Sequence, residues 1–454
     1  MALIMEKTNK TYHFYHRSLD GNKYQPDRFL YTDPQTGSLL QVERDEDYIT
    51  SSFGHGKTLQ DYFDNLRFGP KRREYPNNSG VWLWRDFILP GFPTEAIISL
   101  NEGQTDQFEV PEWLAAEIGI KKLFIKMEGQ SPSESFKDRG MPVAISDALR
   151  LQMEYPELGI KGVSCASTGD TSAAAAIYAV YRRDKLSCTV LVPHKNISPA
   201  QLFQAMAHGA KVIAIDHQDG FDACMKIVQE FSATHPELVL VNSKNDMRLV
   251  GQETIGLEII QDLGWQAPDF ISIPVGNGGN LSALMIGLLR AKKHGLIDKL
   301  PKIIGAQSAN SDTLVRWQES GYNDYAPGLF THSIASAMNI NDPVSFPRIR
   351  NLMKDFDIKF VRVEENKIKD TWARFMKAGA NICPQTSVAL DAVVQLKEKG
   401  EIKEDDVVVA INTASGIKFA ESGVTYHMEK DHEFSNPYIV AEGNLESVEE
   451  AYKK

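Results

Sequence analysis

A chain of 454 residues, 42% apolar and 24% charged, has the profile of a globular protein large enough for one big domain or two. Its net charge of −11 argues against a nucleic-acid partner, because such binders carry a basic footprint. Four scattered cysteines, Cys165, Cys188, Cys224 and Cys383, suggest neither a disulfide framework nor a metal site, and no apolar run approaches the ~20 residues of a membrane span.

The apolar start "MALIM" meets Glu6 and Lys7 too early for a signal-peptide core, so the expected compartment is the cytoplasm. The aromatic, turn-rich stretch that follows lacks any α/β rhythm, and residues 1–95 read as an N-terminal extension. From about residue 120, short β-branched runs at 122–126, 162–166, 188–193, 211–215, 238–242, 270–274, 302–307, 359–363 and 406–412 predict buried strands. Helices are predicted between them at 171–183, 198–209, 221–233, 251–263, 280–295 and 386–400, several closed by glycine. The fold class is therefore α/β, with mostly parallel sheets flanked by helices and ligands at the carboxyl ends of the strands. The tail, residues 426–454, ends in "NLESVEEAYKK", a charged helix predicted to lie on the surface.

Four loops carry candidate chemistry. In "SPSESFKDRG", residues 131–140, Ser135 is expected to cap a helix starting near Phe136, with Asp138 in its first turn. Lys137 then sits at a positive helix end, which favours the neutral amine that attacks carbonyls. Read singly, it is a solvated lysine. In "SCASTGDTSAAAA", Ser167, Thr168, Gly169 and Thr171 stand at a strand-to-helix junction that exposes donors to an anion such as a carboxylate; the plainer reading is a helix N-cap at Asp170 or Thr171.

The third loop, "PVGNGGN", contains Gly276, Asn277, Gly278, Gly279 and Asn280 and can wrap a phosphate. It is not a dinucleotide fingerprint, because Leu281 occupies the sixth position, and it lacks the Gly-Lys-Ser/Thr of a P-loop. The last loop, "NTASGIKF", places Thr413 and Ser415 after a strand, where a hydroxyl can meet a heterocyclic nitrogen. An amine, an anion junction, a phosphate cup and a ring-nitrogen partner on one sheet edge are the contacts that pyridoxal 5′-phosphate requires.

The segments "YPNNSGVW", "SFKDRGM", "ASTGDTSAA", "NISPAQL", "NSKNDMRLVGQ", "WQAPDF", "ASAMNINDPVS", "ICPQTSVAL" and "TASGIKF" occur in one order across residues 25–419. Together they resemble the threonine synthase family, and most closely the group that includes the plant enzymes. The resemblance implies the two-domain pyridoxal-phosphate fold type II shared with the tryptophan synthase β chain. Residues 96–130 and 241–425 would form a larger cofactor domain, and 131–240 a smaller mobile one. Lys137 would hold the cofactor as a Schiff base, Asp170 would face its phenolic oxygen, residues 276–280 would cradle its phosphate, and Thr413 would meet its ring nitrogen. Ser167, Thr168 and Thr171 would bind substrate, while Asn242, Ser243 and Arg248 would hold the substrate phosphate. No metal is implied, and a homodimer is.

Two departures bear on the substrate. The charged Glu134 interrupts a run that is usually small and uncharged in the family, and Ser415 stands where the family usually has histidine. The implied reaction converts O-phosphohomoserine and water to threonine and phosphate. Alternatives at this point are a cysteate synthase-like enzyme on another phospho-amino acid, a threonine/serine dehydratase, or a non-catalytic pyridoxal-phosphate-binding regulator.

Overall fold

The computed structural model describes residues 12–167, 169–182, 184–194, 199–217, 220–328, 331–429 and 432–453. The N-terminal region opens with a small antiparallel sheet of β1 (Phe14–Ser18), β2 (Lys23–Tyr24) and β3 (Leu40–Arg44), in the order β2-β1-β3. Two helices follow, Glu46–Phe53 and Lys57–Phe68; Asp45 caps the first by accepting from the Tyr48 N–H at 2.9 Å. This region lacks α/β alternation, as expected, yet it packs deep into the protein. Phe14, Leu59, Phe63, Trp82 and Trp84 share one core with Ile255 and Leu284. Arg44 reaches the buried carboxylate of Glu253 at 2.8 Å.

The chain then lays down β4 (Gln107–Glu109) and β5 (Lys122–Met127) and leaves them to build a separate sheet. That sheet holds β6 (Gly162–Ala166), β7 (Ser187–Pro193), β8 (Lys211–Ile215) and β9 (Leu238–Leu240), all parallel, in the order β8-β7-β6-β9. It returns to the first sheet with β10 (Phe270–Pro274), β11 (Lys302–Ser308), β12 (Ile358–Val363) and β13 (Val407–Asn412), giving the order β12-β11-β10-β13-β5-β4. Only the edge strand β4 runs antiparallel in this six-stranded sheet. Helices cover the faces of these strands, so β6 and β10 are buried at every position, which is why their sequences are unbroken apolar runs.

The strand order fixes where a ligand can go. β10 lies between β11 and β13: the chain runs outward from β10 through β11 and β12, then returns to place β13 on the other side of β10, next to β5. Such a reversal opens a crevice at the carboxyl ends of the strands. The loops after β5, β10 and β13 all leave from that edge. No described helix is long and apolar enough to cross a membrane. The tail helix Leu445–Tyr452 lies on the surface, with Leu445, Val448 and Tyr452 exposed.

Candidate active site

Lys137 is the first residue of helix Lys137–Glu154. The helix start differs from the sequence reading: Phe136 occupies the N-cap, and Ser135 makes no cap, its buried hydroxyl having no hydrogen-bond partner. The preceding loop is shaped from elsewhere. Asp138 reaches back to accept from the Ser133 N–H at 2.8 Å. The Phe136 N–H donates to the Thr413 carbonyl at 2.9 Å and the Ser415 N–H to the Glu134 carbonyl at 3.0 Å, zipping the loop to the one after β13. Glu134 itself is exposed, with a left-handed φ of 61°.

Two glycines bring the lysine to its charged neighbour. Helix Lys137–Glu154 crosses helix Met247–Asp262 so closely that a Cβ on Gly251 would lie 1.9 Å from the Arg139 carbonyl oxygen, and one on Gly140 would lie 2.5 Å from that of Arg248. Backbone contact at this crossing sets Lys137 and Arg248 within electrostatic reach. Buried Arg139 locks the arrangement through Glu128 at 2.7 Å and Glu258 at 2.6 Å.

The Lys137 amine lies beside the Phe136 ring, 4.2 Å from its centroid, and makes no hydrogen bond among the described residues. Burial pushes its pKa down to about 7, helped by the Arg248 cation and opposed by the Asp170 carboxylate. The dominant cause is therefore desolvation, with a neighbouring cation second. Arg248 is buried at 4% exposure and has no carboxylate partner among the described residues. Its Nη1 donates to the Val241 carbonyl at 3.1 Å, while its Nε is unpartnered. A desolvated guanidinium without a counter-ion is prepared for an anion that arrives from outside.

Helix Asp170–Tyr181 begins at the junction after β6, with Gly169 at its N-cap in place of Asp170 or Thr171. Ser167 accepts from the Gly169 N–H at 3.0 Å, and Thr171 lies half-buried in the first turn. Thr168 lies outside the described residues. Asp170 pairs with Lys418 at 2.9 Å. The Asn242 amide is committed to β6, accepting from the Ala166 N–H at 2.9 Å and donating to its carbonyl at 2.7 Å. It pins the end of that strand, which leaves Arg248 and the half-buried Ser243 as the groups open to a phosphate.

After β10, helix Gly279–Lys293 starts from Gly278, which is left-handed at φ 74°; a Cβ there would meet Ile349 Cδ1 at 2.5 Å. Among the described residues, the N–H groups of Gly276, Asn277, Gly278, Gly279 and Asn280 donate to no carbonyl, and both amide atoms of buried Asn280 lack partners. The Asn277 carbonyl is anchored by the Ser345 N–H at 3.0 Å. Across the crevice, buried Thr413 is held by its N–H to Thr386 Oγ1 at 3.1 Å, with its hydroxyl 3.4 Å from Cys383 Sγ. Ser415 Oγ accepts from Asn381 at 3.2 Å.

The structure thus gathers Lys137, Asp170, Arg248 and Thr413 with the glycine-rich cup at one edge. It adds buried residues that had drawn no role: Lys418, Asp138, and the unpartnered hydroxyls of Ser131 and Ser133. Nothing local marks Lys418 as buried, because its partners Asp170 and Ser133 come from distant segments. All four cysteines are free and buried, and the described residues contain no cluster of metal ligands.

The sequence matches the family of pyridoxal-phosphate-dependent enzymes over residues 98–414. Threonine synthase 2, chloroplastic, of Arabidopsis thaliana is 35% identical over 437 residues, covering 95% of this chain and 82% of that protein. Threonine synthase of Methanocaldococcus jannaschii is 33% identical over 405 residues, covering 89% and 92%. Among solved structures, threonine synthase from Escherichia coli superposes with a TM-score of 0.62 at 21% identity, covering 96% of this chain and 94% of that one. The donor set here fits the cofactor: unpartnered Asn280 and five free N–H groups suit its phosphate, and a near-neutral amine suits its aldehyde. The chain belongs to the pyridoxal-phosphate-dependent enzymes of fold type II and, within them, to the threonine synthase family.

Proposed function

We propose that the protein converts O-phosphohomoserine and water to threonine and phosphate. The observation that carries this reading is Arg248, a buried guanidinium with no carboxylate partner among the described residues, facing the Lys137 amine. Bound pyridoxal phosphate supplies an electron sink for negative charge at the substrate carbons. Lys137 would hold the cofactor and, as a free amine, would take a proton from the substrate Cα, hand it on, and then take one from Cβ. Its pKa of about 7 suits both halves of that task, since the amine is free to accept and its conjugate acid can return the proton.

Residues 276–280 bind the cofactor phosphate, with Gly276, Asn277, Gly278 and Gly279 offering N–H groups and Asn280 its amide. Asp170 would face the phenolic oxygen, and the Thr413 hydroxyl would meet the ring nitrogen. An alcohol there does not hold that nitrogen protonated as a carboxylate would. Ser167, Thr168 and Thr171 take the substrate carboxylate at a helix N-terminus. Arg248, in the first turn of its helix, and Ser243, on the loop that Asn242 pins, receive the phosphate leaving Cγ.

Residues 131–240 act as a smaller domain that closes over the larger one, 96–130 with 241–425, and admits water after phosphate has left. The protein acts as a homodimer, a reading supported by exposed apolar side chains such as Tyr438, Val440 and Leu445. The cytoplasm is the proposed compartment, in keeping with four free thiols. The test supplies O-phosphohomoserine, O-phosphoserine and threonine in parallel, following phosphate release from the two phosphorylated substrates and 2-oxo acid formation from threonine, with the amino-acid products identified. Threonine from O-phosphohomoserine alone is expected, and turnover restricted to either other substrate refutes the assignment.

A further inference from the structure

Lys418 lies in the short turn Gly416–Phe419 after β13 and is buried at 5% exposure. Its ammonium leaves that turn to meet partners on two other loops. It donates to the Ser133 carbonyl, in the loop before the lysine helix, and pairs with Asp170 Oδ1 at 2.9 Å, in the first turn of the helix after β6. One buried cation therefore ties together the loops after β5, β6 and β13, drawn from both large sheets. Burying an ammonium is costly, and an apolar side chain of similar volume would fill the space at lower cost, so the charge itself has a task.

That task follows from the neighbours of Asp170. Its carboxylate favours the protonated form of Lys137 while Arg248 disfavours it, and the Cys383 thiol lies within electrostatic range of Asp170. Lys418 also acts on Asp138, which Glu102 influences in the opposite direction. We infer that Lys418 is a positioning residue, clasping Asp170 to the 131–135 loop and shielding its negative charge from Lys137. Without the clasp, Asp170 would act more strongly on Lys137, and the amine would hold its proton to higher pH.

The inference rests on Lys137 being the attacking amine, but its test needs neither substrate nor cofactor. In the cofactor-free full-length protein, reductive methylation of Lys137 by formaldehyde and cyanoborohydride is followed against pH by mass spectrometry of its peptide. The native midpoint is expected near 7. Lys418→Met should raise it by about one pH unit, and Lys418→Arg should restore it. Asp170→Asn should lower it, and adding Lys418→Met to Asp170→Asn should move it little further. An unchanged midpoint in Lys418→Met overturns the inference, as does an equal increment with and without Asp170. Should Lys418→Met fail to fold, Asp170→Asn decides alone, and a native midpoint there overturns the inference. Failure of the functional reading shows separately, as a native protein in which borohydride fixes no pyridoxal phosphate to Lys137.

Discussion

Replacing Arg248 separates binding from stability, because the same burial that prepares it for phosphate destabilises the empty protein. Burial holds its pKa down at about 10, against an ordinary arginine value of 12.5, and no carboxylate among the described residues offsets this. The difference corresponds to roughly 3 kcal/mol against the charged form. Arg248→Met keeps most of the volume, gives up one hydrogen bond to the Val241 carbonyl, worth about 1 kcal/mol, and removes the buried charge. The ligand-free variant should therefore melt at the native temperature or above it. Losing a charge-assisted contact to phosphate in a closed site costs about 2–4 kcal/mol, so kcat/KM for O-phosphohomoserine should fall roughly 30- to 1,000-fold. Cofactor content should not change. The assays are thermal unfolding, phosphate release, and absorbance of bound cofactor. A variant that melts lower and loses cofactor while using substrate normally would refute the reasoning, because Arg248 would then serve the cofactor phosphate.

Lys137→Met should lose covalently attached cofactor and turnover, and also a pH dependence of stability. In the cofactor-free protein the native lysine binds fewer protons than the unfolded one between its folded value of about 7 and its ordinary 10.5, so its contribution to stability rises with pH across that window. The stability difference between native and variant proteins, followed by urea titration from pH 7 to 10, should therefore shift toward the native protein. Thr413→Val keeps the shape but removes the hydroxyl, so cofactor should still attach while exchange of the substrate Cα proton slows; full activity would transfer the role to Ser415. Gly278→Ala forces a side chain into a left-handed position 2.5 Å from Ile349 Cδ1, and cofactor affinity measured by equilibrium dialysis should fall at least tenfold.

The strands were legible wherever burial on both faces made the apolar run self-evident, as in β6, β10 and β13. β4 was not, because it is a three-residue edge strand without a buried residue. The first two helices were also missed, since they bury only Ile49, and Leu59 with Phe63, too sparse a stripe to stand out among polar residues. Helix Met247–Asp262 begins a turn earlier than its apolar pattern suggested, because the residues that open it include the buried Arg248. Polar groups buried for chemistry erase the pattern that marks a helix. The same cause hid Lys418 and Asp138, whose surroundings are supplied by the tertiary fold.

Glu134 is the residue for which sequence and structure give different reasons for the same conclusion. The sequence places it beside a helix-capping Ser135, where the macrodipole would favour a carboxylate. Ser135 does not cap, and Glu134 instead closes a turn, its N–H donating to the Ser131 carbonyl at 2.7 Å and its carbonyl accepting from Ser415. Both contacts are backbone, and the side chain is exposed. Its left-handed φ of 61° costs about 1–2 kcal/mol in a residue with a Cβ, which explains why a small residue suits this position. Glu134→Gly removes that strain but adds about 0.5–1 kcal/mol of backbone entropy to the unfolded chain, so stability should rise by no more than about 1.5 kcal/mol. The ratio of kcat/KM for O-phosphohomoserine to that for O-phosphoserine should stay the same, because an exposed carboxylate is screened by water from a phosphate held at Arg248. A tenfold change in that ratio, with stability as predicted, would mean that Glu134 turns inward on substrate binding and selects against a second negative charge, and that O-phosphohomoserine is not the substrate the site was built for.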